Sequence, residues 1–348
     1  MRPFVLIILV AITILSPVTA YAMDFTAPEA PRHAQEYMPE DTESFGDGVW
    51  TIVKEGIETV APSLTEAAAT CVSLIGISVL LSCAKNISGT TAKTVNLVGT
   101  VIVSSVLLQS SHSLIQLGVE TVGQISDYGK LLIPVMSGAM AAQGSVAAST
   151  ALYTGTVIFN AILSSAISNL LAPLLYIYLL FSIANAATSD TTSGKLRDFI
   201  KWLTTWGLKI SLYIFTGYMG ITGVVSGSAD AVRLKATKLT ISGMVPVVGS
   251  ILSDASESIL VGAGIMKNTV GVYGLLVILA LWIEPFLTIG LQYLLLKATV
   301  AICETFDTKD VSGVIKSFST AMGLILAMTG TVCLMFLISV VCFMKDVT

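Results

Sequence analysis

Long apolar stretches recur along the chain and limit what it can fold into. The candidate membrane spans among them are 67–84, 95–115, 150–168, 170–187, 210–225, 271–302 and 322–344. Because hydrocarbon offers backbone groups no hydrogen-bond partner, such stretches cross a bilayer as helices. Only 11% of the residues are charged and the mean hydropathy is +0.85, unlike a soluble domain. We therefore predict an all-α polytopic membrane protein with about 6–8 spanning or re-entrant helices.

The chain begins with a pattern typical of a secretory signal. One basic residue, Arg2, precedes an apolar run of 15 residues (4–18), and the sequence AYA at 20–22 fits a cleavage site. We predict a signal peptide over 1–22. The alternative is an uncleaved first span, since the lengths of such runs overlap those of short spans. Either way, the segment that follows is placed outside the cytoplasm.

Charge divides the rest of the chain into two unequal parts. Residues 23–66 have a net charge of −8, whereas 67–348 have a net charge of +3. We predict that 23–66 is an acidic extracytoplasmic N-terminal segment and that 67–348 is a polytopic helical membrane domain. Prolines and acids make 23–45 a poor helix former, and we expect it to be disordered. No basic patch of the kind that binds nucleic acid is present.

Two segments, 131–149 and 242–265, are only mildly apolar and are rich in Gly, Ala and Ser. In the second, apolar residues recur at helical spacing, and Asp254 and Glu257 fall on the opposite stripe. Helices of this kind lie at the membrane interface, pack inside a bundle or line water. Asp254 and Glu257 are therefore candidate structural or pore residues.

Basic residues and tryptophans mark a membrane interface without settling the topology. The stretch SGKLRDFIKWLTTWGLK (193–209) combines lysines with Trp202 and Trp206, which suits an interface. Four Lys or Arg lie in 188–209 and three in 227–238, so charge bias places both segments in the cytoplasm. However, the candidate span 210–225 lies between the two segments and would place them on opposite sides of the membrane. Downstream of Trp206, GYMGITG (217–223) predicts close helix packing.

The chain also resembles itself after a shift of 112 residues, which relates 131–230 to 243–345. IPVMSGAM then aligns with VPVVGSIL, and APLLYIYL with EPFLTIGL. Pro134 then matches Pro246, and Pro173 matches Pro285. The two prolines within each copy are 39 residues apart. An internal duplication is one explanation, because membrane proteins are often built from repeats. Chance matching between apolar segments is the other.

Glu284 lies inside the apolar run 271–302 and is followed at once by Pro285. A carboxylate in hydrocarbon is costly, and the default hypothesis for one is an ion- or proton-handling site. The alternative is a turn, in which Pro285 starts a new helix and Glu284 lies beside the positive end of its dipole. We favour the turn, because the duplication aligns Glu284 with Ala172, which has no acid–base chemistry.

The chain lacks the sequence motifs of the common enzyme classes. It has no HExxH or GxSxG motif, and its two histidines, His33 and His112, have no metal-ligand partners at suitable spacing. The five cysteines lie in or beside apolar runs, where they fit as free core- or lipid-facing residues. We predict that the protein is not an enzyme and has no cofactor or metal site.

The order of segments resembles that of the stage III sporulation protein AE family of endospore-forming Firmicutes. The resemblance rests on four stretches, which follow the acidic segment and the first spans. They are SGKLRDFIKWLTTWGLKISLYIFTGYMGITG, KLTISGMVPVVGSILSDASESILVGAGIMKNTVGVYG, WIEPFLTIGLQYLLLKATVAICETF and SGVIKSFSTAMGLILAMTG. The similarity extends over most of 45–345, is densest over 193–330, and identifies no catalytic residue.

The resemblance implies a multi-pass protein of the mother-cell membrane surrounding the forespore. It would be a non-enzymatic component of the channel, or feeding tube, that links the two cells and supports forespore development. The implied partners are other proteins of the stage III A operon, including a cytoplasmic ATPase and ring-forming proteins, together with stage II sporulation protein Q and membrane lipid. An autonomous small-molecule or ion transporter remains the alternative on the residues alone.

Overall fold

The computed structural model describes residues 26–39, 45–88, 92–188, 191–244, 248–306 and 308–345, with side chains described except over 86–88, 92–93, 191 and 223–267. Within this part of the chain there are helices and turns but no strands. The helices are α1 (Arg32–Gln35), α2 (Phe45–Ser88), α3 (Ala92–Ala142), α4 (Val146–Ala166), α5 (Ala172–Thr188), α6 (Thr191–Met244), α7 (Val248–Glu304) and α8 (Lys309–Met344). A π-helical turn, Ile167–Leu171, joins α4 to α5. The all-α prediction is confirmed.

Five helical runs in the described residues are long and apolar enough to cross a membrane. They are Phe45–Lys85, Thr94–Ala142, Val146–Thr188, Asn268–Glu304 and Lys309–Met344. Their lengths of 36 to 49 residues far exceed the roughly 20 that cross the hydrocarbon core. At these lengths a single run can hold two of the predicted spans. Segments 150–168 and 170–187 belong to one run, and 271–302 lies inside α7.

The prolines interrupt the helices less than predicted. Pro134 and Pro285 lie inside α3 and α7, and neither helix ends there. Pro173 lies two residues after the π-helical turn Ile167–Leu171, and the wider turn accommodates a nearby residue that has no backbone N–H. The predicted break of 271–302 at Pro285 is therefore wrong. Pro246 lies outside the described residues, and the duplication stays a prediction.

Contacts between helices fix their directions. Asn96 Nδ2, near the start of α3, donates to Asp310 Oδ2, near the start of α8, at 2.8 Å. Farther along, Gly129 of α3 lies against the ring of Phe336, so these two helices run parallel. Helix α7 runs the opposite way, since Gly274 near its apolar beginning packs against Leu132 late in α3.

One end of the bundle gathers the beginnings of α3, α6 and α8, and we call it the basic end. Arg197, Lys309 and Asp310 line a small cavity of about 240 Å³ there. Asn96 reaches the same place through its bond to Asp310. The cationic stretch at the start of α6 is thus brought beside the turn between α7 and α8.

Helix α8 forms the centre of the bundle and packs against α3, α4, α5, α6 and α7. Most of its apolar side chains are buried, as expected for a core helix, although Leu334 and Val341 are about half exposed. Its largest fully buried side chains are Phe318, Phe336 and Phe343. Glycine allows the closest approach to it, because a Cβ at Gly129 would collide with Phe336.

Buried polar contacts also join the helices. Ser126 Oγ of α3 donates to Asn160 Oδ1 of α4 at 2.9 Å, and Thr156 Oγ1 of α4 donates to Ser339 Oγ of α8 at 3.1 Å. All four residues are at least 96% buried. Such bonds between membrane helices contribute about 0.6–2 kcal/mol each. Because hydrogen bonds are directional, they select the contacting faces of α3, α4 and α8 more specifically than apolar packing does.

The N-terminal segment differs from expectation. Residues 26–39 were expected to lack structure, but they pack on the bundle, with Ala30, Ala34 and Tyr37 at most 5% exposed. Helix α2 continues without a break through residue 66 into the apolar part of the chain. The change from acidic to apolar composition therefore falls within one helix. Residues 1–25, including the predicted signal peptide, lie outside the described residues.

Candidate functional site

The Glu284 side chain is held by two residues of the N-terminal segment. Tyr37 donates its hydroxyl hydrogen to Glu284 Oε2 at 2.9 Å, and His33 Nε2 lies 2.8 Å from the same oxygen. The Glu284 side chain is 24% exposed and that of His33 is 41% exposed. We call these three side chains the clasp. It joins the described part of the N-terminal segment to the middle of α7.

Helix α1 is one turn long and places the two partners of Glu284. Pro31 precedes it, and the carbonyl of Pro31 accepts hydrogen bonds from the N–H groups of Ala34 and Gln35. His33 and Tyr37 are four residues apart, so both side chains point to the same side of this turn. Their rings meet edge to face, with centroids 6.0 Å apart. The turn is thereby shaped to present two donors to one carboxylate oxygen.

Burial and the clasp together favour the protonated form of Tyr37. Burial, and then the hydrogen bond to the Glu284 carboxylate, raise the pKa of Tyr37 to about 12, while contact with Thr59 opposes the shift. The phenol therefore stays protonated at any physiological pH. It serves as a permanent hydrogen-bond donor, so Glu284 keeps a partner whether or not His33 is charged.

The favoured interpretation of Glu284 as a residue beside a helix start is wrong. Glu284 lies in the interior of α7, far from the positive end of that helix's dipole. It is stabilised by side chains from a distant part of the sequence instead. Nearby, Trp282 packs on Phe286 with ring centroids 4.3 Å apart, and its Nε1 lies 3.4 Å from Thr329 Oγ1 of α8. Helix α7 thus contacts the N-terminal segment on the face of Glu284 and α8 on the face of Trp282.

A polar stripe continues from Glu284 along α7. Thr288 and Gln292 follow at intervals of four residues and share its face of the helix. Both line a cavity of about 570 Å³ between α2, α3 and α7. The other polar residues of its wall are Ser63, Glu66, Thr70, Gln109, Ser110 and Ser113. This polar cavity is large enough to hold several water molecules beside the clasp.

The structure brings together only part of the predicted set of residues. Pro285 adjoins Glu284 in α7, whereas Pro134 and Pro173 belong to α3 and α5 and are not part of the clasp. The side chains of Asp254 and Glu257 lie outside the described ones, as does Pro246. Their predicted structural or pore role stays a prediction.

The clasp roles of His33 and Tyr37 and the polar stripe were not predicted from the sequence. The His33–Tyr37 spacing, with Ala30 and Ala34 at the same interval, was a signal of one packed helical turn. It was hidden by the surrounding acids and prolines. The sequence E-x-x-x-T-x-x-x-Q beginning at Glu284 was a second signal, since residues four apart share one face of a helix.

The other titratable residues are dispersed. His112 Nδ1 lies 2.8 Å from the hydroxyl of Tyr176, which joins α3 to α5. All five cysteines are free, and Cys71, Cys303 and Cys333 are buried. Among the described residues, no group of three or more His, Cys, Asp or Glu is placed to hold a metal ion.

Comparison with known proteins relates the chain to one family. Residues 37–345 match the family model described as stage III sporulation protein AE. The stage III sporulation protein AE of Bacillus subtilis (strain 168) is 24% identical over 233 residues, which cover 67% of this chain and 58% of that protein. The matched region thus spans less than two thirds of the relative's length. No solved structure matches the chain.

Proposed function

The chain belongs to the stage III sporulation protein AE family, and on this premise we propose that it is a non-enzymatic integral membrane component of the sporulation channel complex. This complex links mother cell and forespore and supports forespore development. The observation that carries the proposal is the family match over 37–345, which includes the clasp residue Tyr37 and nearly all of the helical bundle.

The charge distribution supports an orientation in the mother-cell membrane that surrounds the forespore. The basic end carries Lys195, Arg197 and Lys201 near the start of α6, and positive charge favours the cytoplasmic side. Helix α2 begins in acidic sequence and leads away from the clasp. We propose that the N-terminal segment and the clasp are extracytoplasmic and that the basic end faces the mother-cell cytoplasm.

This orientation assigns partners to the two sides. The proposed cytoplasmic partner is the ATPase of the stage III A operon, which would meet the basic end. The proposed extracytoplasmic partners are the ring-forming proteins of the same operon and stage II sporulation protein Q. The N-terminal segment, fixed on α7 by the clasp, supplies a rigid surface on that side.

Deletion of the gene in its own host tests the proposal. We expect development to arrest with engulfed forespores, and the wild-type gene to restore spores. A tagged copy should localise to the membrane around the forespore and co-purify with the operon's ATPase and ring-forming proteins. Normal sporulation of the deletion strain, or a tagged protein that purifies without any of these partners, would contradict the proposal.

One observation favours a second function, that of an autonomous small-molecule or ion transporter. The polar cavity is lined by Thr288, one turn from Glu284 on α7, and by Glu66 of α2, and acids at a polar cavity are typical of ion pathways. Reconstitution of the purified protein by itself in liposomes distinguishes the two functions. Proton or potassium flux that depends on Glu284 would favour the transporter, and the channel component predicts no such flux without its partners.

A further inference from the structure

A wide groove runs between α6, α7 and α8 near the basic end, and it is separate from the clasp. Its volume is about 710 Å³. Its residues on α8 extend from Lys316 to Thr331, which corresponds to roughly 22 Å along the helix. It is therefore about as long as one phospholipid molecule. Its floor contains the buried residues Leu208, Val300 and Leu324.

Four lysines border the groove, and a single acid accompanies them. Lys201, Lys209, Lys297 and Lys316 are all exposed, and Glu304 is the one carboxylate of the lining. None of the four lysines forms an ion pair with a residue in the described part of the chain. Lys297 lies over the Tyr293 ring, 4.9 Å from its centroid. The groove thus carries unneutralised positive charge over an apolar floor.

The charges and the apolar surface are arranged along the groove. Lys201, Glu304 and Lys316 lie toward the basic end, because α6 and α8 begin there and α7 ends there. In the other direction Lys209 lies one turn before Leu212 on α6, and beyond it the lining ends with the uncharged residues Leu212, Ala327 and Thr331. A molecule that fits this order has an anionic group at one end and hydrocarbon at the other.

Two tryptophans place the charged part of the groove at the surface of the membrane. Trp202 and Trp206, beside Lys201 on α6, are about half exposed, and their rings stack with centroids 5.6 Å apart. Exposed tryptophans concentrate at the level of the lipid headgroups. The four lysines therefore lie where phosphate groups are abundant, and the apolar part of the groove extends toward the acyl chains.

We propose that this groove is a binding site for a phospholipid with an anionic headgroup. The lysines bind its phosphate and glycerol headgroup, and the acyl chains lie on Leu212, Leu324 and Ala327. A soluble anion such as inorganic phosphate would leave the apolar floor without an occupant. An acidic peptide fits less well, because the buried floor of Leu208, Val300 and Leu324 offers its backbone no hydrogen-bond partner.

The test uses the purified full-length protein in nanodiscs and in detergent. Phosphatidylglycerol is the probe, phosphatidylcholine the uncharged comparison, and inorganic phosphate the soluble anion. Binding is measured by native mass spectrometry, as lipid retained after delipidation, and by the increase in Tm on adding each probe. We expect wild-type protein to retain phosphatidylglycerol and to be stabilised by it, and to respond to neither of the other probes.

Substitution of all four groove lysines by Gln should weaken phosphatidylglycerol binding by about tenfold or more, because each basic residue near an anionic surface contributes several-fold. These side chains are exposed, so folding should be unaffected. The matched control replaces four exposed lysines outside the groove, namely Lys54, Lys130, Lys195 and Lys345. It should bind as wild type does. Equal loss in both quadruple variants would overturn the proposal.

A second variant tests the apolar part of the site. Ala327 is exposed within the groove, and Ala327→Trp should fill the space for an acyl chain while leaving all four lysines. We expect loss of retained phosphatidylglycerol with an unchanged Tm of the lipid-free protein. Retention equal to wild type, or stabilisation of wild-type protein by phosphatidylcholine or phosphate as large as that by phosphatidylglycerol, would show that no such site exists.

Discussion

The hydroxyl of Tyr37 and the carboxylate of Glu284 are 2.9 Å apart, although 247 residues separate them in the chain. Tyr37 follows a helix of one turn, whereas Glu284 lies deep inside a helix of 57 residues. A helix of one turn is not stable by itself, so its position depends on the contacts that it makes. The bond between these two residues is therefore one of the contacts that keep the N-terminal segment on the bundle, together with the burial of Ala30, Ala34 and the Tyr37 ring.

Removal of the Tyr37 hydroxyl should release this segment. Tyr37→Phe keeps the buried ring but loses a hydrogen bond to a charged acceptor, which contributes about 1.5–3 kcal/mol. Trypsin cleavage after the exposed Arg32 of purified protein should accelerate by about tenfold or more, since cleavage requires local opening. The control is Tyr153→Phe, which removes the hydroxyl of an exposed tyrosine on α4 that takes no part in the clasp. Unchanged cleavage in Tyr37→Phe would mean that the bond does not hold the segment.

Tyr37 should ionise at unusually high pH. Its pKa is about 12, whereas the unfolded value is about 10, so the unfolded chain loses this proton first as the pH rises. The contribution of the neutral phenol to stability is therefore complete below about pH 10 and is lost between about pH 10 and 12. The difference in phenolate absorbance between wild type and Tyr37→Phe measures this titration. A midpoint near pH 10 would contradict the buried, hydrogen-bonded state.

Glu284 should tolerate Gln but not Leu. The amide oxygen of Gln can still accept hydrogen bonds from Tyr37 and His33, although a neutral acceptor is weaker by about 1 kcal/mol. Leu removes the acceptor and leaves both donors without a partner. We expect the trypsin cleavage rate after Arg32 to rise about fivefold in Glu284→Gln and much further in Glu284→Leu. Equal rates in the two variants would show that hydrogen bonding at this position is unimportant.

Close contact at Gly129 should make it intolerant of a larger side chain. Gly129→Ala places a methyl group against the ring of Phe336, and overpacking of this kind costs about 1–3 kcal/mol. Gly123→Ala is the matched control on the same helix, because nothing lies within 4 Å of its Cβ position. Thermal unfolding in detergent should show a lower Tm for Gly129→Ala alone, and Phe336→Leu should partly restore it. The same Tm in both alanine variants would contradict this packing.

The sequence predicted the class of the protein because apolar length is a local property. Acid-bearing runs such as 271–302 were recognised as membrane helices, and Glu284 was selected within one of them. The boundary between the predicted spans 150–168 and 170–187 was less predictable, because a π-helical turn before Pro173 keeps the helix continuous there. The partners of Glu284 were not found, since His33 lies in an acidic segment whose composition indicates disorder.

Glycine patterns were equally ambiguous in the sequence. GYMGITG predicted close packing, and its Tyr218 does lie against the backbone of α4 at Gly155 and donates to the carbonyl of Ala151 at 3.0 Å. Two of its glycines do not make the contact, because nothing lies within 4 Å of a Cβ built at Gly217 or Gly220. Glycine permits close approach, but the tertiary arrangement decides which face of a helix meets a neighbour.

The helical run Val146–Thr188 has a consequence for the bilayer. Its 43 residues include no Asp, Glu, Lys or Arg, and they extend for roughly 65 Å, about twice the thickness of the hydrocarbon core. Such a run fits thin and thick bilayers equally well and so cannot fix its own depth. Charged residues on neighbouring helices, such as Asp127 of α3 and Lys201 of α6, must therefore determine its depth in the membrane. The protein should therefore adapt by sliding or tilting, with little penalty for hydrophobic mismatch, as the membrane around it changes in thickness.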